Sequence, residues 1–375
     1  MLTHHGLPNS NYRRQGGIIH AEQTSAASAT APVGDGDADF DRRAIPAAAR
    51  ESTWAAPDGH RIRRLDWLLP AGSPRGSLLF LPGRGDYYEK YLETLVHWAG
   101  RGWRVTALDW RGQGGSGRLG IDAATGHIED FALWLADLAA FWRQWSDDGS
   151  GPRIVVAHSM GGHLALRAVA ESLIDPDALV LAAPMLGLAG RVPGAAMHQV
   201  ARIMAAWGDD RRQAWKWKEQ PGDKLAWRMR MLTHDVDRYA DELWWREHRP
   251  ELAMGPGSWR WVERAYASMR GLERPGVLER IAIPAIFIAS TGDKLVSFPA
   301  IERAARRITR AELVRFGAEA AHEILREADP VRTKALRRID DFLDRVVPVG
   351  TPSQSRSCRA PRQARGSGCA GLGHR

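Results

Sequence analysis

The stretch Ile154-Val155-Val156-Ala157-His158-Ser159-Met160-Gly161-Gly162 reads as a β-strand, a tight turn and the start of a helix that runs on from His163. A serine at such a turn is forced into a strained backbone that pushes its hydroxyl clear of the sheet. Small residues two positions away on either side let strand and helix approach. Gly161 meets that need, and Ala157 stands where the usual GxSxG pattern has its first glycine. Ser159 is the candidate nucleophile. A serine hydroxyl attacks poorly until a base accepts its proton, so the pattern predicts an acid and then a histidine downstream, each after a strand. Asp293, in Thr291-Gly292-Asp293-Lys294-Leu295-Val296, follows the strand expected over Ala285 to Ser290. His322, in Ala320-Ala321-His322-Glu323-Ile324-Leu325, follows Glu312 to Phe316. Singly, Asp293 reads as a loop or helix-cap carboxylate and His322 as a surface histidine before the last helix. With Ser159 they read as a triad.

Other residues compete less well. His158 and His163 belong to the turn itself, His127 opens a helical run, and His4, His5 and His20 lie near the N-terminus. Asp109 precedes the serine and is expected to order the loop Arg111-Gly112-Gln113-Gly114. Acyl transfer also needs two backbone N–H groups aimed at the developing oxyanion. Met160, next to the nucleophile, supplies one candidate. Arg84 supplies the other, in Pro82-Gly83-Arg84-Gly85-Asp86 after the strand Ser77 to Leu81, where Gly83 is expected to turn the backbone toward the site. Gly112-Gln113-Gly114-Gly115-Ser116-Gly117 matches GxGxxG, but no apolar periodicity follows it to open a helix. His322-Glu323 resembles the start of HExxH, yet Arg326 occupies the second histidine position.

These residues need a scaffold, and the apolar pattern predicts one. Ser77 to Leu81, Trp103 to Trp110, Arg153 to His158, Ala178 to Ala183 and Ala285 to Ser290 have strand length. Glu89 to Ala99, His127 to Trp145, Gly161 to Leu173, Phe298 to Ile308 and Pro330 to Val346 have helical spacing. Such alternation predicts an α/β fold with a mostly parallel sheet and helices on both faces. Pro57-Asp58-Gly59, between Trp54 and Ile62, predicts a hairpin and an antiparallel start. The alternation stops after Pro184 and resumes near Ile281, and the stretch between holds eight of the sixteen tryptophans. It reads as a helical insertion, with a private core and an inner face over an apolar pocket.

The chain has 375 residues and a formal net charge of +8, of which five charges fall within 348–375, leaving +3 for residues 1–347. The excess lies in a Ser/Gly/Pro-rich tail rather than on a folded face, which argues against nucleic acid as a partner. Both cysteines, Cys358 and Cys369, fall in that tail, so a disulfide framework or thiolate metal site is not expected in the core. No apolar run approaches the ~18 residues of a membrane span, and no signal-peptide pattern follows Arg13 and Arg14. The expectation is a cytoplasmic protein, with peripheral membrane contact left open.

The segments Phe80 to Tyr91, Asp109 to Ser116, His158 to Gly162, Gly292-Asp293 and His322 to Leu325 fall in the order seen in α/β-hydrolases. Together they resemble the lysophospholipase L2 and monoacylglycerol lipase group from roughly Trp54 to Val346. Two departures stand out. Pro82 replaces the histidine of the usual His-Gly motif, a variation similar to the lysophospholipase L2 branch, and Ala157 replaces the elbow glycine. The resemblance implies an α/β-hydrolase core over 49–186 and 277–347 and a helical cap over 187–276, while composition without periodicity predicts a disordered tail over 1–48 and a basic disordered one over 348–375. It implies Ser159, Asp293 and His322 as catalytic residues and Arg84 and Met160 as the oxyanion hole. Neither cofactor nor metal nor obligate protein partner is implied. The expected substrate is a monoacyl lipid ester, a lysophospholipid first. A monoacylglycerol lipase, a small-ester esterase or lactonase on the same triad, and a non-catalytic ligand receptor are the alternatives. Some cap cations among Arg202, Arg211, Arg212, Lys216, Lys218, Arg228 and Arg230 are expected to meet a headgroup phosphate, the rest forming a solvated face.

Overall fold

A computed structural model describes residues 40–67, 74–147, 151–190, 192–215 and 223–348, with backbone alone for 223–226. The calls on 1–39, on 349–375 with both cysteines, and on Lys216 and Lys218 lie outside these residues. The hairpin is present: β1 (Ala49–Ala55) pairs antiparallel with β2 (Arg61–Trp67) across the turn at Asp58 and Gly59. Then follow β3 (Gly76–Leu81), α1 (Leu92–Gly100), β4 (Trp103–Leu108), α2 (Phe131–Asp147), β5 (Arg153–His158), α3 (Ser159–Ala170) and β6 (Ala178–Ala182). After an insertion come β7 (Ala285–Ser290), α8 (Phe298–Arg306), β8 (Ala311–Phe316) and α9 (Asp329–Val346). The eight strands form one sheet in the order β1-β2-β4-β3-β5-β6-β7-β8, parallel from β4 onward.

Side chains alternate across a strand, and here both faces are apolar. Leu79, Leu81, Val155, Leu179, Leu181 and Phe287 join the core shared with α2, α3 and α8. Leu78, Phe80, Ile154, Val156, Val180 and Ile286, on the alternate positions, have no exposure either. The helices α1 and α9 contact β4 and β6–β7. Each such Leu, Ile or Phe contributes ~1.5–3 kcal/mol, which fixes the register and with it the strand ends that carry the site.

Two boundaries differ from the sequence reading. Tyr88–Tyr91 is a 3-10 turn, so α1 starts at Leu92 rather than near Glu89. Within the expected tail over 1–48, Arg42 and Arg43 are held in place. Arg42 and Arg43 bind the two oxygens of Asp241 at 2.6 and 2.7 Å, and Trp245 donates its indole N–H to the Arg42 carbonyl. Ion pairs and a buried tryptophan hold a segment whose composition alone carries no such signal.

The insertion holds α4 (Gly194–Ala206), α5 (Asp223–Leu232), α6 (Val236–His248) and α7 (Trp259–Glu273). Helix α6 is capped by Asp235, and α7 by Ser258, whose side chains accept the N–H of Arg238 and Trp261. Among the described residues no helix is long and apolar enough to cross a membrane.

Candidate active site

Parallel α/β sheets gather ligands at the carboxyl ends of their strands. The loop 82–86 leaves β3 there, Ser159 leaves β5, Asp293 follows β7 and His322 follows β8. Ser159 has φ of +49°, a left-handed conformation that costs an L-residue and marks a sharp turn. The turn closes because position 161 is glycine: a Cβ there would stand 2.4 Å from the Pro82 carbonyl oxygen and 2.5 Å from that of Leu81.

The Oγ of Ser159 lies 2.9 Å from Nε2 of His322, and Nδ1 of His322 lies 2.7 Å from Oδ2 of Asp293. The second oxygen of Asp293 accepts the N–H groups of Leu295 and Val296 at 2.7 and 3.0 Å. The structure thus brings the three sequence-predicted residues together in hydrogen-bonding order. Burial opposes ionisation of Asp293, but the His322 charge, the hydrogen bond to it and the two N–H groups outweigh burial and hold the carboxyl below its usual range. Burial likewise opposes the charged imidazole, and Asp293, with smaller contributions from Glu323 and Asp86, raises His322 above its ordinary value.

Arg84 and Met160 sit beside this chain. Met160 is in the first turn of α3, whose N–H groups have no intrahelical acceptor. Gly83 donates its N–H to Asp86 and Gly85 to the Gln113 side chain, at 3.1 and 2.7 Å, whereas the N–H of Arg84 between them has no acceptor among the described residues. The expected role of Gly83 in turning the backbone needs correction. The left-handed residue is Gly85, at φ of +72°, and Gly83 is needed because a Cβ would stand 3.1 Å from that of Ser159.

Asp109 accepts the N–H groups of Gly115 and Tyr88 and pairs with Arg63, so it orders the glycine loop and lies outside the chain of Ser159, His322 and Asp293. No helix opens on residues 112–117. Of the cap cations, Arg228 lines the cavity and is bonded to Glu242. Arg211 pairs with exposed Asp209, and Arg212 binds the carbonyls of Asp209 and Met204. Arg202 and Arg230 are exposed.

Sequence reasoning missed a buried ionic cluster next to the histidine. Lys90 Nζ lies 2.5 Å from Asp86, 2.6 Å from Glu323 and 3.1 Å from Glu242. Arg326 bonds Glu323 and Glu242, and Arg228 bonds Glu242. Asp86 Oδ2 also accepts the Tyr91 hydroxyl and lies 3.0 Å from Nδ1 of His158, whose Nε2 is 3.3 Å from the His322 carbonyl oxygen. The i,i+4 spacing of Asp86 and Lys90 and the i,i+3 spacing of Glu323 and Arg326 are its local signals. The insertion also supports the histidine: the N–H groups of His322 and Glu323 donate to the carbonyls of Met231 and Leu232 in the last turn of α5.

Over the chain of Ser159, His322 and Asp293 opens a cavity of about 930 Å³. Met185, Leu188, Met197, Trp227, Met231, Val262 and Tyr266 form its apolar wall, with Arg84, Lys90, Arg228 and Lys294 as its cations.

The family described as "Serine aminopeptidase, S33" matches residues 72–329. Lysophospholipase L2 of Escherichia coli (strain K12) is 31% identical over 293 residues, covering 75% of this chain and 83% of the relative. The monoacylglycerol lipase of Mycolicibacterium smegmatis is 31% identical over 142 residues, 37% of this chain and 48% of that one. A soluble variant of monoglyceride lipase from Saccharomyces cerevisiae has a similar fold, with a TM-score of 0.62, 18% identity and coverage of 82% of this chain and 99% of that one. With its sheet order, its serine turn and a match over most of its length, the chain belongs to the family described as serine aminopeptidase, S33, and is an α/β-hydrolase of the serine hydrolase type.

Proposed function

We propose that this protein is a lysophospholipase in which Ser159 is the nucleophile, His322 the base and Asp293 the orienting carboxylate. Ser159 Oγ attacks the ester carbonyl carbon as Nε2 of His322 takes its proton, and the N–H groups of Arg84 and Met160 hold the oxyanion. Collapse breaks the bond to the glycerol oxygen, which leaves with the proton from His322. Water then attacks the acyl-enzyme, giving its proton to His322, and the fatty acid departs as Ser159 recovers its hydrogen. Asp293 holds the imidazole tautomer and stabilises its cation throughout.

The observation that carries this reading is the hydrogen-bonded chain of Ser159, His322 and Asp293 opening into an apolar cavity of about 930 Å³. Such a cavity suits one acyl chain, with each buried methylene contributing up to ~0.8 kcal/mol, roughly fourfold in affinity. The relative named lysophospholipase L2, matched over most of both chains, supports a phospholipid headgroup. Hydrolysis of a neutral monoacylglycerol is the second reading, favoured by the apolar wall and by the partial match to a monoacylglycerol lipase.

Residues 187–276 serve as the cap in this proposal, since that span, through α4, α5, α7 and its loops, supplies most of the apolar wall. Peripheral membrane contact is supported by Val200, Ile203 and Trp207, which share one side of α4 and its end. Ile203 and Trp207 are 67% and 74% exposed, with exposed Trp215 and Trp227 also in the insertion. A cytoplasmic setting fits a core sequence free of cysteine.

The test is a fluorophosphonate label with a chain-length series of monoacyl esters. Label on Ser159 and rates that climb to medium or long chains are expected. Ser159→Ala, His322→Ala and Asp293→Asn should each reduce turnover by about 10⁴ or more, without adding. A series peaking at acetate or butyrate would refute the acyl slot, and near-full activity of Asp293→Asn would refute the acid assignment.

A further inference from the structure

Among the described residues, one half-buried cation of the cavity has no carboxylate partner. Lys90 is matched by Asp86, Glu242 and Glu323, Arg228 is bonded to Glu242, and Lys294 is exposed. Arg84 differs. Its Nη2 donates to the Gly255 carbonyl at 2.8 Å, its Nε has no acceptor among the described residues, and its guanidinium lies 5.3 and 4.8 Å from the ring centres of Trp215 and Trp261. The indole N–H of Trp261 lacks an acceptor too. A niche is built around the group. A Cβ on Gly126 would stand 2.7 Å from Nη2 and one on Gly257 3.4 Å, and these two glycines bridge to each other. Desolvation lowers the Arg84 pKa to about 10, so the group stays cationic at neutral pH.

A desolvated cation held by ring faces and one carbonyl destabilises the empty site, and a ligand that brings the opposite charge removes that cost. Asp86 and Glu323 also line the cavity, but both are bound to Lys90 and do not neutralise Arg84. The same number of covalent bonds separates the Arg84 amide nitrogen from its guanidinium carbon as separates the ester carbonyl carbon of a 1-acyl glycerophospholipid from its phosphorus. One residue is therefore long enough to reach both ends of such a substrate. We propose that the Arg84 side chain accepts the headgroup phosphate while its backbone N–H faces the oxyanion of the same molecule, making it the residue that selects lysophospholipids over monoacylglycerols. This inference rests on the hydrolysis proposed above, and it moves headgroup recognition from the expected cap cations to the loop after β3.

The test uses ligands that cannot be cleaved. Full-length Ser159→Ala protein is titrated below micellar concentrations with a 1-O-alkyl glycerophosphoglycerol, the matching 1-O-alkylglycerol and the matching fatty acid, read by calorimetry and by tryptophan emission. The phosphate ether is expected to bind at least about tenfold more tightly than the alkylglycerol. Adding Arg84→Gln should abolish the preference, and Arg84→Lys should retain part of it. Equal affinities in the Ser159→Ala protein, or a preference that survives Arg84→Gln, would overturn the proposal. A fatty acid that depends on Arg84 as strongly as the phosphate does would assign the group to the released carboxylate and overturn it as well. If Arg84→Gln fails to fold, the ligand comparison in the Ser159→Ala protein and in Arg84→Lys still decides. Tight binding of the phosphate ether by a protein that hydrolyses no lysophospholipid would leave this inference standing and refute only the activity.

Discussion

Lys90→Met removes the lysine that pairs with Asp86, while leaving Arg326 on Glu323 and both Arg228 and Arg326 on Glu242. Among the described residues Asp86 then keeps the Tyr91 hydroxyl, the His158 ring and the Gly83 N–H. Breaking a buried pair from one side costs about 3–5 kcal/mol, because a charge is left without compensation. For a body of this size that corresponds to a fall in melting temperature on the order of 10 °C. The pH dependence has a definite sign. In the wild type burial pushes the Asp86 carboxyl up, but Lys90 foremost and then His158 outweigh it and hold it well below the usual range. Its contribution to stability is therefore present above the ordinary Asp value of about 4 and is lost as pH falls through the depressed one. Without Lys90, burial dominates, the folded-state pKa rises and the variant takes up a proton on folding. The deficit should accordingly be largest near pH 7 and shrink as pH falls toward about 4. Calorimetric melting of both proteins from pH 4 to pH 8 measures this, with exposed Lys294→Met as the control. A deficit at pH 7 of only a degree or two, or one that grows on acidification, would refute the account of this cluster.

Because His322 is raised above its ordinary value and the proposed base must be neutral to accept a proton, the acidic limb of kcat/KM should have its midpoint above about 6.5. A pH–rate profile with a limb below that value would contradict the coupling to Asp293. Gly161→Ala should cost roughly 1–3 kcal/mol of stability and lower activity at least about a hundredfold, since the new Cβ meets two backbone carbonyls that cannot rotate away. Thermal melts and ester turnover read both effects, and wild-type values for either would show that β3 and α3 can separate.

The residues readable from sequence were those whose role is written locally. Ser159 announces itself through a strand, a tight turn and a helix start within nine residues, and Asp293 and His322 each follow a strand of standard length. The sheet was legible for the same reason, since unbroken apolar runs are what burial on two faces requires. The cluster of Asp86, Lys90, Glu242 and Glu323 was not, because Glu242 and Glu323 stand far from Lys90 in the chain and charged residues ordinarily read as a solvated face. In sequence Glu323 reads only as a neighbour of His322 and as part of an incomplete HExxH pattern. The isolation of Arg84 was also invisible, since sequence shows which residue is charged but not which carboxylates are absent around it.

The hydrogen bonds from His322 and Glu323 to the last turn of α5 bear on how such enzymes can be recombined. An insertion that enters after β6 and leaves before β7 looks like a detachable cassette, free to be exchanged without touching the strands that carry the reacting groups. Here the cassette supplies two carbonyls that hold the backbone of the loop after β8, and Glu242, from α6, enters the ionic cluster beneath that loop. A chimera that swaps only residues 187–276 would therefore carry away part of the mounting of its histidine. An exchange that keeps this mounting would move the insertion together with the loop 320–327 and with Asp86 and Lys90, segments separated in the chain and joined in the fold.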